Sequence, residues 1–229
     1  MAAPAPRSPP LPPSPPAAGS CGCFFASFGD GFTYRREVGT GEKAVLKDPE
    51  QLTSPTLAAS HAARWCDLKN RFGPVSPVCV CVPGPRLAMR CERLSHAALP
   101  FSSYVCHRIL DLYAESAADG AAPVPPRDDA SAAARLAQVA TDALAANGLP
   151  ADFLETAGAH PGGAPRSAAA LAAVAGVSLG PSCAVVAGLL ANEVLKFVTG
   201  KGQPIDNIFV YDPSTGEGKQ FRAPAKAKK

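Results

Sequence analysis

Eight cysteines and four histidines are the side chains of this 229-residue chain with the widest range of possible chemistry. Four of the cysteines form two C-x-C pairs, Cys21/Cys23 and Cys79/Cys81. Structural zinc sites usually use cysteine pairs separated by two to four residues, and these pairs are tighter. The histidines show no ligand spacing with one another. The sequence therefore predicts no metal site, with zinc bound by cysteines as the alternative.

Cys183 lies near the start of an apolar stretch that is predicted to be helical. A helix N-terminus lowers the pKa of a thiol and would activate it as a nucleophile, whereas burial among valine and alanine raises that pKa. Buried cysteine is common in protein cores. We therefore expect Cys183 to be a core residue, and we predict no catalytic residue in the chain.

A phosphate-binding loop is the next candidate, and its glycine-rich motifs are not found. No G-x-G-x-x-G follows a predicted strand, and no G-x-x-x-x-G-K-[ST] occurs. Gly200-Lys201-Gly202 follows a helix instead of opening one, so its amides do not lie at the positive end of a helix dipole. We expect a plain loop there and no cofactor bound by this chain.

Hydrophobic periodicity and turn residues predict an α/β architecture that would position these groups. Asp30-Gly31 is a hairpin signal between the first two strands. Pro in the first turn and Gly200 just beyond the end support the last helix. The predicted helices cover 94–115, 129–147 and 181–199, and the predicted strands cover 23–28, 32–34, 207–211 and 218–221.

The last predicted helix carries the candidate partner or core contacts. Its first half is apolar on every side, so we expect it to be covered by protein on most faces. Glu193 and Lys196 are expected to form an exposed i,i+3 pair, with a partner contact as the alternative. Small residues allow another backbone to pack closely against this helix. Leucine in place of Gly188 should therefore destabilise the fold and weaken the association of the chain with a partner. The candidate residues are Cys183, Ala184, Ala187, Gly188, Ala191, Asn192, Glu193 and Lys196.

Composition divides the chain into three parts. Residues 1–20 form a proline-rich leader, predicted to be disordered. Residues 21–222 form one partial domain, in which 66–91 mixes Pro, Cys and Val and is expected to be an irregular insertion. Residues 223–229 form a basic tail. The net charge of +3 becomes −1 without the four basic residues near the C-terminus, which argues against a nucleic-acid partner.

The cysteines and the long uncharged stretch bear on the compartment. No apolar signal-peptide core is visible near the N-terminus, which favours reduced thiols in the cytosol or nucleus. Residues 168–191 carry no charge, but Gly176, Gly180 and Pro181 interrupt them. We therefore expect no membrane contact, with a small membrane protein built on 168–191 as an alternative.

The segment from Gly180 to Asp212 closely resembles the C-terminal helix–loop–strand of the enzymes that activate ubiquitin-like proteins, the E1/ThiF family. The family pattern is A-x-x-G-G-x-x-A-Q-E-x-x-K before a strand that ends in an aromatic residue and Asp. The corresponding residues here are Ala187-Gly188 for the small pair, Asn192-Glu193 for Gln-Glu, and Lys196.

Within this family, two features are most similar to the smaller, non-cysteine subunit of the SUMO-activating members. They are Cys183 before Ala-Val-Val and the Gly-Lys-Gly-x-Pro loop. The phenylalanine-rich segment 24–32 is similar to a strand pair of that subunit, and 128–153 is similar to its acidic-start helix and Leu-Pro turn. The resemblance extends over 21–222 and is strongest over 180–218.

The resemblance implies the C-terminal part of a ThiF/E1-type, Rossmann-like adenylation fold. The family's glycine-rich turn, ribose-binding acid and catalytic arginine would precede residue 21, so the nucleotide-binding half is missing. It implies a heterodimer in which the larger catalytic subunit holds ATP and Mg²⁺, forms the adenylate and carries the thioester cysteine. The resemblance implies that this chain would support the larger catalytic subunit structurally and would contact SUMO only indirectly. The heterodimer would act in the nucleus or the cytoplasm.

A second interpretation is a truncated catalytic ThiF-like adenylyltransferase, or half of a different E1. It would need the glycine-rich strand–turn–helix upstream of the present sequence. The sequence therefore leaves open whether the chain is part of an active enzyme or only a structural partner of one.

Overall fold

The computed structural model describes residues 22–39, 45–68, 77–83, 89–95, 99–117, 123–127, 129–157, 167–213 and 216–224. Its strands are β1 (Gly22–Phe25), β2 (Phe32–Val38), β3 (Val45–Leu52), β4 (Pro77–Pro83), β5 (Met89–Ser95), β6 (Ile208–Asp212) and β7 (Glu217–Phe221). Its helices are α1 (Leu57–His61), α2 (Trp65–Leu68), α3 (Leu99–Glu115), α4 (Ala130–Ala146), α5 (Phe153–Ala157), α6 (Ala168–Val174) and α7 (Gly180–Thr199).

A three-stranded antiparallel sheet lies beside the helical core, with β6 between β1 and β7. The first three residues of β6 are buried, as a central strand requires. Phe24 of β1 lies opposite Phe209 of β6, and their rings stack with centroids 5.2 Å apart. The predicted strands 207–211 and 218–221 are confirmed as the hairpin β6–β7.

The predicted hairpin at Asp30-Gly31 is wrong. The strand after this turn, β2, pairs with β3 and leaves the three-stranded sheet, while β1 pairs with the distant β6. Burial of Phe24 against Phe209 is available only through the long-range pairing. We attribute the difference to this apolar contact, because a two-residue turn signal contributes less than the burial of an aromatic pair.

The helical layer surrounds α3, whose residues 101–110 are all buried. Helix α3 packs against β6 on one side and against α4 on another, and α4 in turn contacts α6. The helix predicted over 129–147 is confirmed as α4, and Asp129 caps it by accepting the amide hydrogens of Ser131 and Ala132. Trp65, Ile109 and Leu136 lie in this principal core.

The segment 66–91 was expected to be an irregular insertion, and the part of it that the structure describes is in part regular. It contains β4 and the beginning of β5, which pair antiparallel from Pro77–Ser95 to Pro83–Met89. The two prolines of β4 stand at its ends, where a missing amide does not interrupt the ladder. The domain boundaries at 20 and 222 stay a prediction.

The architecture is mixed helix and strand, in agreement with the expected α/β class. Every strand pair in the described residues is antiparallel. A Rossmann-like adenylation fold with a missing nucleotide half therefore stays a prediction.

Candidate docking site on helix α7

Helix α7 begins one residue before the predicted start at Pro181 and ends at the predicted Thr199. Pro181 lies in the first turn, where its missing amide hydrogen costs nothing. Gly200 ends the helix with φ +63°, and its N–H donates to the Lys196 carbonyl at 2.8 Å. A residue with a Cβ would be strained in this left-handed conformation, so glycine fixes the end of the helix.

The inner face of α7 is a narrow stripe that holds the helix on the body of the protein. Its side chains recur at four- and three-residue steps, and they are the ones that are buried or half-buried: Ser182, Val186, Leu189, Glu193 and Lys196. Val186 and Leu189 pack on a small cluster formed by Phe24, Ala26, Ile205 and Phe209. Gly22 lets Val186 approach β1 closely, because a Cβ at Gly22 would overlap the Val186 side chain.

Glu193 is the polar anchor of this inner face and only 3% exposed. One carboxylate oxygen accepts the Ile205 N–H at 2.7 Å, and the other accepts Lys196 Nζ at 2.5 Å. The expectation that Glu193 and Lys196 form an exposed surface pair is therefore wrong. Glu193 is buried and joins the helix to the loop that follows it. The cause is the loop, which returns along the helix and places the Ile205 amide over this carboxylate.

Asn207, which the sequence reasoning missed, fixes the far end of that loop. Its side chain is fully buried, donates to Ser60 Oγ at 2.8 Å and to the Ala223 carbonyl at 3.1 Å, and accepts the Ala223 N–H at 3.1 Å. The only sequence signal was an asparagine directly before a buried β-run. The network ties the residues after β7 to α1 and holds the loop from which Ile205 reaches Glu193.

The outer face of α7 is apolar and exposed. Cys183, Ala184, Ala187, Gly188, Ala191 and Asn192 are all exposed, and so are Val185, Leu190, Val194, Leu195 and Val198, with Val198 at 75%. Phe197 is half exposed and belongs to the edge of the inner face, because its ring stacks on Phe32 with centroids 5.3 Å apart. The expectation that Cys183 is a core residue is therefore wrong. The expected cover by protein on most faces of α7 is not provided by the described part of this chain. The chain covers one stripe of the helix, and packing of the other face on a partner stays a prediction.

The effect expected of a bulky residue at Gly188 is corrected in part. Among the residues that the structure describes, a Cβ at Gly188 would meet no atom within 4 Å apart from the helix's own backbone. Leucine there has no described neighbour to overpack, so we expect no loss of fold stability. A change at Gly188 therefore tests association separately from folding.

The cysteine side chains that the structure describes are free, and they differ in accessibility. Cys183 is exposed, whereas Cys106 is buried in α3. Burial beside α3 raises the pKa of the Cys23 thiol to about 12, which keeps it protonated at neutral pH. No group of three His, Cys, Asp or Glu side chains suited to a metal is found in the described part of the chain.

Helix α7 is also long and apolar enough to cross a membrane by length and composition alone. The uncharged stretch 168–191 is not one helix, because α6 ends at Val174 and packs with Leu171 and Ala172 in the core. Glu193 holds α7 to the body through the Ile205 amide. The long apolar helix is therefore an attached surface element in this structure.

Three curated proteins of Arabidopsis thaliana are similar to a short stretch of the chain. SUMO-activating enzyme subunit 1A is 55% identical over 38 residues, and subunits 1B-1 and 1B-2 are each 45% identical over 38 residues. The stretch is 17% of this chain and 12% of each relative, so the match spans about an eighth of their length. No family model matches the chain. Part of this chain is therefore similar to SUMO-activating enzyme subunit 1.

Proposed function

We propose that this chain is a structural component of a heterodimeric SUMO-activating enzyme, corresponding to the C-terminal part of its smaller subunit. It supports ATP-dependent activation of SUMO by docking the outer face of α7 on the larger, catalytic subunit. ATP and Mg²⁺ are held by that larger subunit, and SUMO is contacted only indirectly. The complex acts in the nucleus or the cytoplasm.

The observation that carries this proposal is the exposed apolar face of α7, taken together with the 38-residue similarity. Soluble monomers rarely expose a contiguous apolar patch of this kind unless it binds something. Burying a valine, leucine or phenylalanine completely is worth about 1.5–3 kcal/mol. Val194, Leu195 and Val198 are each more than half exposed, so most of that free energy remains for association.

The inner stripe of the helix is consistent with a docking role. Glu193 and Lys196, the two charged residues of α7, are turned to the body and paired with each other. The outer face therefore presents no charge that a partner would have to desolvate. The same bond to Ile205 fixes the orientation of the helix before binding, which lowers the entropy lost on association.

A nucleotide-binding role for the loop after α7 is not supported by its contacts. The Gly202 N–H donates to the Arg35 carbonyl at 2.9 Å, and the Gly200 carbonyl accepts the Arg35 N–H at 2.8 Å. The loop follows the C-terminal end of α7, where free carbonyls repel phosphate. We infer that Gly200-Lys201-Gly202 docks α7 against β2 and leaves adenylation to the larger subunit.

The proposal is tested by ATP-dependent SUMO thioester formation on the larger subunit, with and without this chain. We expect the chain to increase thioester formation, and we expect no ATP–pyrophosphate exchange from the chain alone. Exchange catalysed by the chain alone would overturn the structural role in favour of a truncated adenylyltransferase. A chain that leaves thioester formation unchanged and does not bind the larger subunit would overturn the proposal.

A further inference from the structure

The antiparallel ribbon formed by β4 and β5 places sulfur-containing residues together on one face. Successive residues of a strand alternate between the two faces, so Cys79 and Cys81 share a face of β4. The register places Cys91 of β5 directly opposite Cys81. Met89 lies two residues before Cys91 and is therefore on the same face. Strand pairing thus adds a third cysteine and a methionine to a C-x-C pair whose spacing alone predicted no metal site.

The prolines of β4 indicate that Cys81 and Cys91 form a close pair. Proline has no N–H, and strands place it where no ladder hydrogen bond is donated. Pro77 and Pro83 are each an even number of residues from Cys81, so Cys81 takes the same kind of position. At such non-hydrogen-bonded positions the facing Cα atoms are about 4.5 Å apart. Cys79 is about 7 Å along the strand, so the three cysteines are close enough to share one ion.

The composition of this face favours one soft cation, Cu(I). Thiolates and thioethers select soft metals over hard ones. Structural zinc sites and iron–sulfur clusters usually take four Cys or His ligands, and this face has three cysteines and no histidine. Cu(I) is bound by thiolates and thioethers alike, which accounts for the methionine. The remaining residues on this face of the ribbon are Pro77, Pro83, Arg93 and Ser95.

We propose that Cys79, Cys81 and Cys91 form a Cu(I)-binding site on one face of the β4–β5 ribbon, with Met89 as a thioether ligand. The three thiols lose their protons as the ion binds, which gives a negatively charged thiolate complex and three released protons. Arg93 occupies the position opposite Cys79 on this face. Its positive charge offsets part of the charge of the complex and favours the thiolate form of the cysteines.

This face is distinct from the described side chains, among which no metal-binding group is found. A disulfide between Cys81 and Cys91 is the competing chemistry. It would need an oxidant and would leave Cys79 and Met89 without a role. The chain has eight cysteines and two methionines, and the grouping of four of these ten residues favours a shared ion. The proposal goes beyond the SUMO-activating role, uses no residue of α7 and is tested without the larger subunit.

The test is a Cu(I) titration of the full chain, reduced and kept free of oxygen, in competition with the chromogenic chelator bicinchoninate. Glutathione is added in excess, because a monothiol removes Cu(I) from isolated surface thiols but not from a group that chelates it. We expect one Cu(I) to be retained per chain, with a thiolate-to-copper charge-transfer absorption in the ultraviolet. A chain that retains no Cu(I) under these conditions would overturn the proposal.

Serine variants identify the ligands. Cys81→Ser and Cys91→Ser should each weaken Cu(I) binding at least about a hundredfold, because even changes next to a metal ligand cost about 10–100-fold in affinity. Cys183→Ser is the matched control, since Cys183 is an exposed free thiol outside the ribbon. It should bind Cu(I) as the parent does. Equal weakening in the control and the ribbon variants would overturn the proposal.

A measurement on the parent chain keeps the test independent of how the variants fold. X-ray absorption at the copper edge should show sulfur ligands only, at least three per ion, and Met89→Leu should remove one of them or weaken binding. Nitrogen or oxygen ligands would contradict the assignment. A Cys81–Cys91 disulfide that persists in excess glutathione, identified by mass spectrometry, would assign the pair to a disulfide and overturn the copper site.

Discussion

Helix α3 carries several polar side chains and is buried, whereas the more apolar helix α7 is largely exposed. Residues 101–110 of α3 are all buried, although they include Ser102, Ser103, His107 and Arg108. In α7 only Ser182 and Glu193 are buried, although the helix has just two charged residues. Hydrophobicity therefore states what a helix can bury, and the neighbouring elements determine what it does bury.

Polar side chains inside α3 are paired with carboxylates, one on the same helix and one on β6. Arg108 is 5% exposed and pairs with Asp111, at 2.8 Å between Nη1 and Oδ2. Ser103 donates to Asp212 of β6 at 3.4 Å. These partners reduce the cost of burying polar groups, which would otherwise be several kcal/mol for an isolated charge. The outer face of α7 has no such requirement, because it has no charge to satisfy.

The largest expected effect separates the two helices directly. Ile109→Ala should lower the free energy of unfolding by about 3–4 kcal/mol, because Ile109 is completely buried in the principal core. Val198→Ala should change it by no more than about 0.5 kcal/mol, because Val198 is 75% exposed. Urea unfolding of the monomeric chain measures both, and equal losses in the two variants would mean that α7 is covered.

Sequence reasoning succeeded for α7, α4 and the β6–β7 hairpin because local signals define their ends. The ends of these helices depend on residues next to them in sequence. Asp129 caps α4, Pro181 lies in the first turn of α7, and Gly200 ends α7. It failed where pairing is long-range. The place of β1 beside β6 and the strand β3 depend on contacts that no short window contains.

For the candidate site, the residues of α7 could be predicted but the assignment of its faces could not. The inner stripe was detectable in principle, since Ser182, Val186, Leu189 and Glu193 share one face at helical spacing. Uniform hydrophobicity hid it, because alanine, valine and leucine occur on every side. The burial of Glu193 depends on the Ile205 amide, which lies twelve residues away in the return loop.

The second prediction concerns this anchor. Glu193→Ala should lower the free energy of unfolding by about 3 kcal/mol, because it leaves the Ile205 amide and Lys196 without their acceptor. Glu193→Gln should lose less, since its side-chain carbonyl can still accept the Ile205 N–H. Chemical denaturation of both variants checks the order. If the alanine variant loses less than about 0.5 kcal/mol of unfolding free energy, the result would instead support an exposed surface pair.

The third prediction concerns α3. The Tyr104 hydroxyl is buried and has no hydrogen-bond partner among the described residues, and burial raises its pKa. Tyr104→Phe should therefore leave stability unchanged or increase it by up to about 1 kcal/mol. A decrease of more than about 1 kcal/mol in thermal or urea unfolding would show that the hydroxyl is bonded in solution.

The smallest expected effect on folding is at Gly188. Gly188→Leu should leave the monomer as stable as the parent or more stable by up to about 1 kcal/mol, because leucine is the better helix former. Thermal unfolding at low protein concentration measures it, with Ala137→Leu, at an exposed position of α4, as the control. A decrease of about 2 kcal/mol or more in the free energy of unfolding, which is the scale of overpacking, would show that other residues pack against this face.

The central claim is that the outer face of α7 docks on the larger subunit of a SUMO-activating enzyme. The most direct measurement is a binding titration of that subunit with the parent chain and with Gly188→Leu, each confirmed to be folded. We predict a one-to-one complex with the parent and at least about tenfold weaker binding of the variant. Equal affinity for the two chains, or no complex with the parent, would contradict the claim.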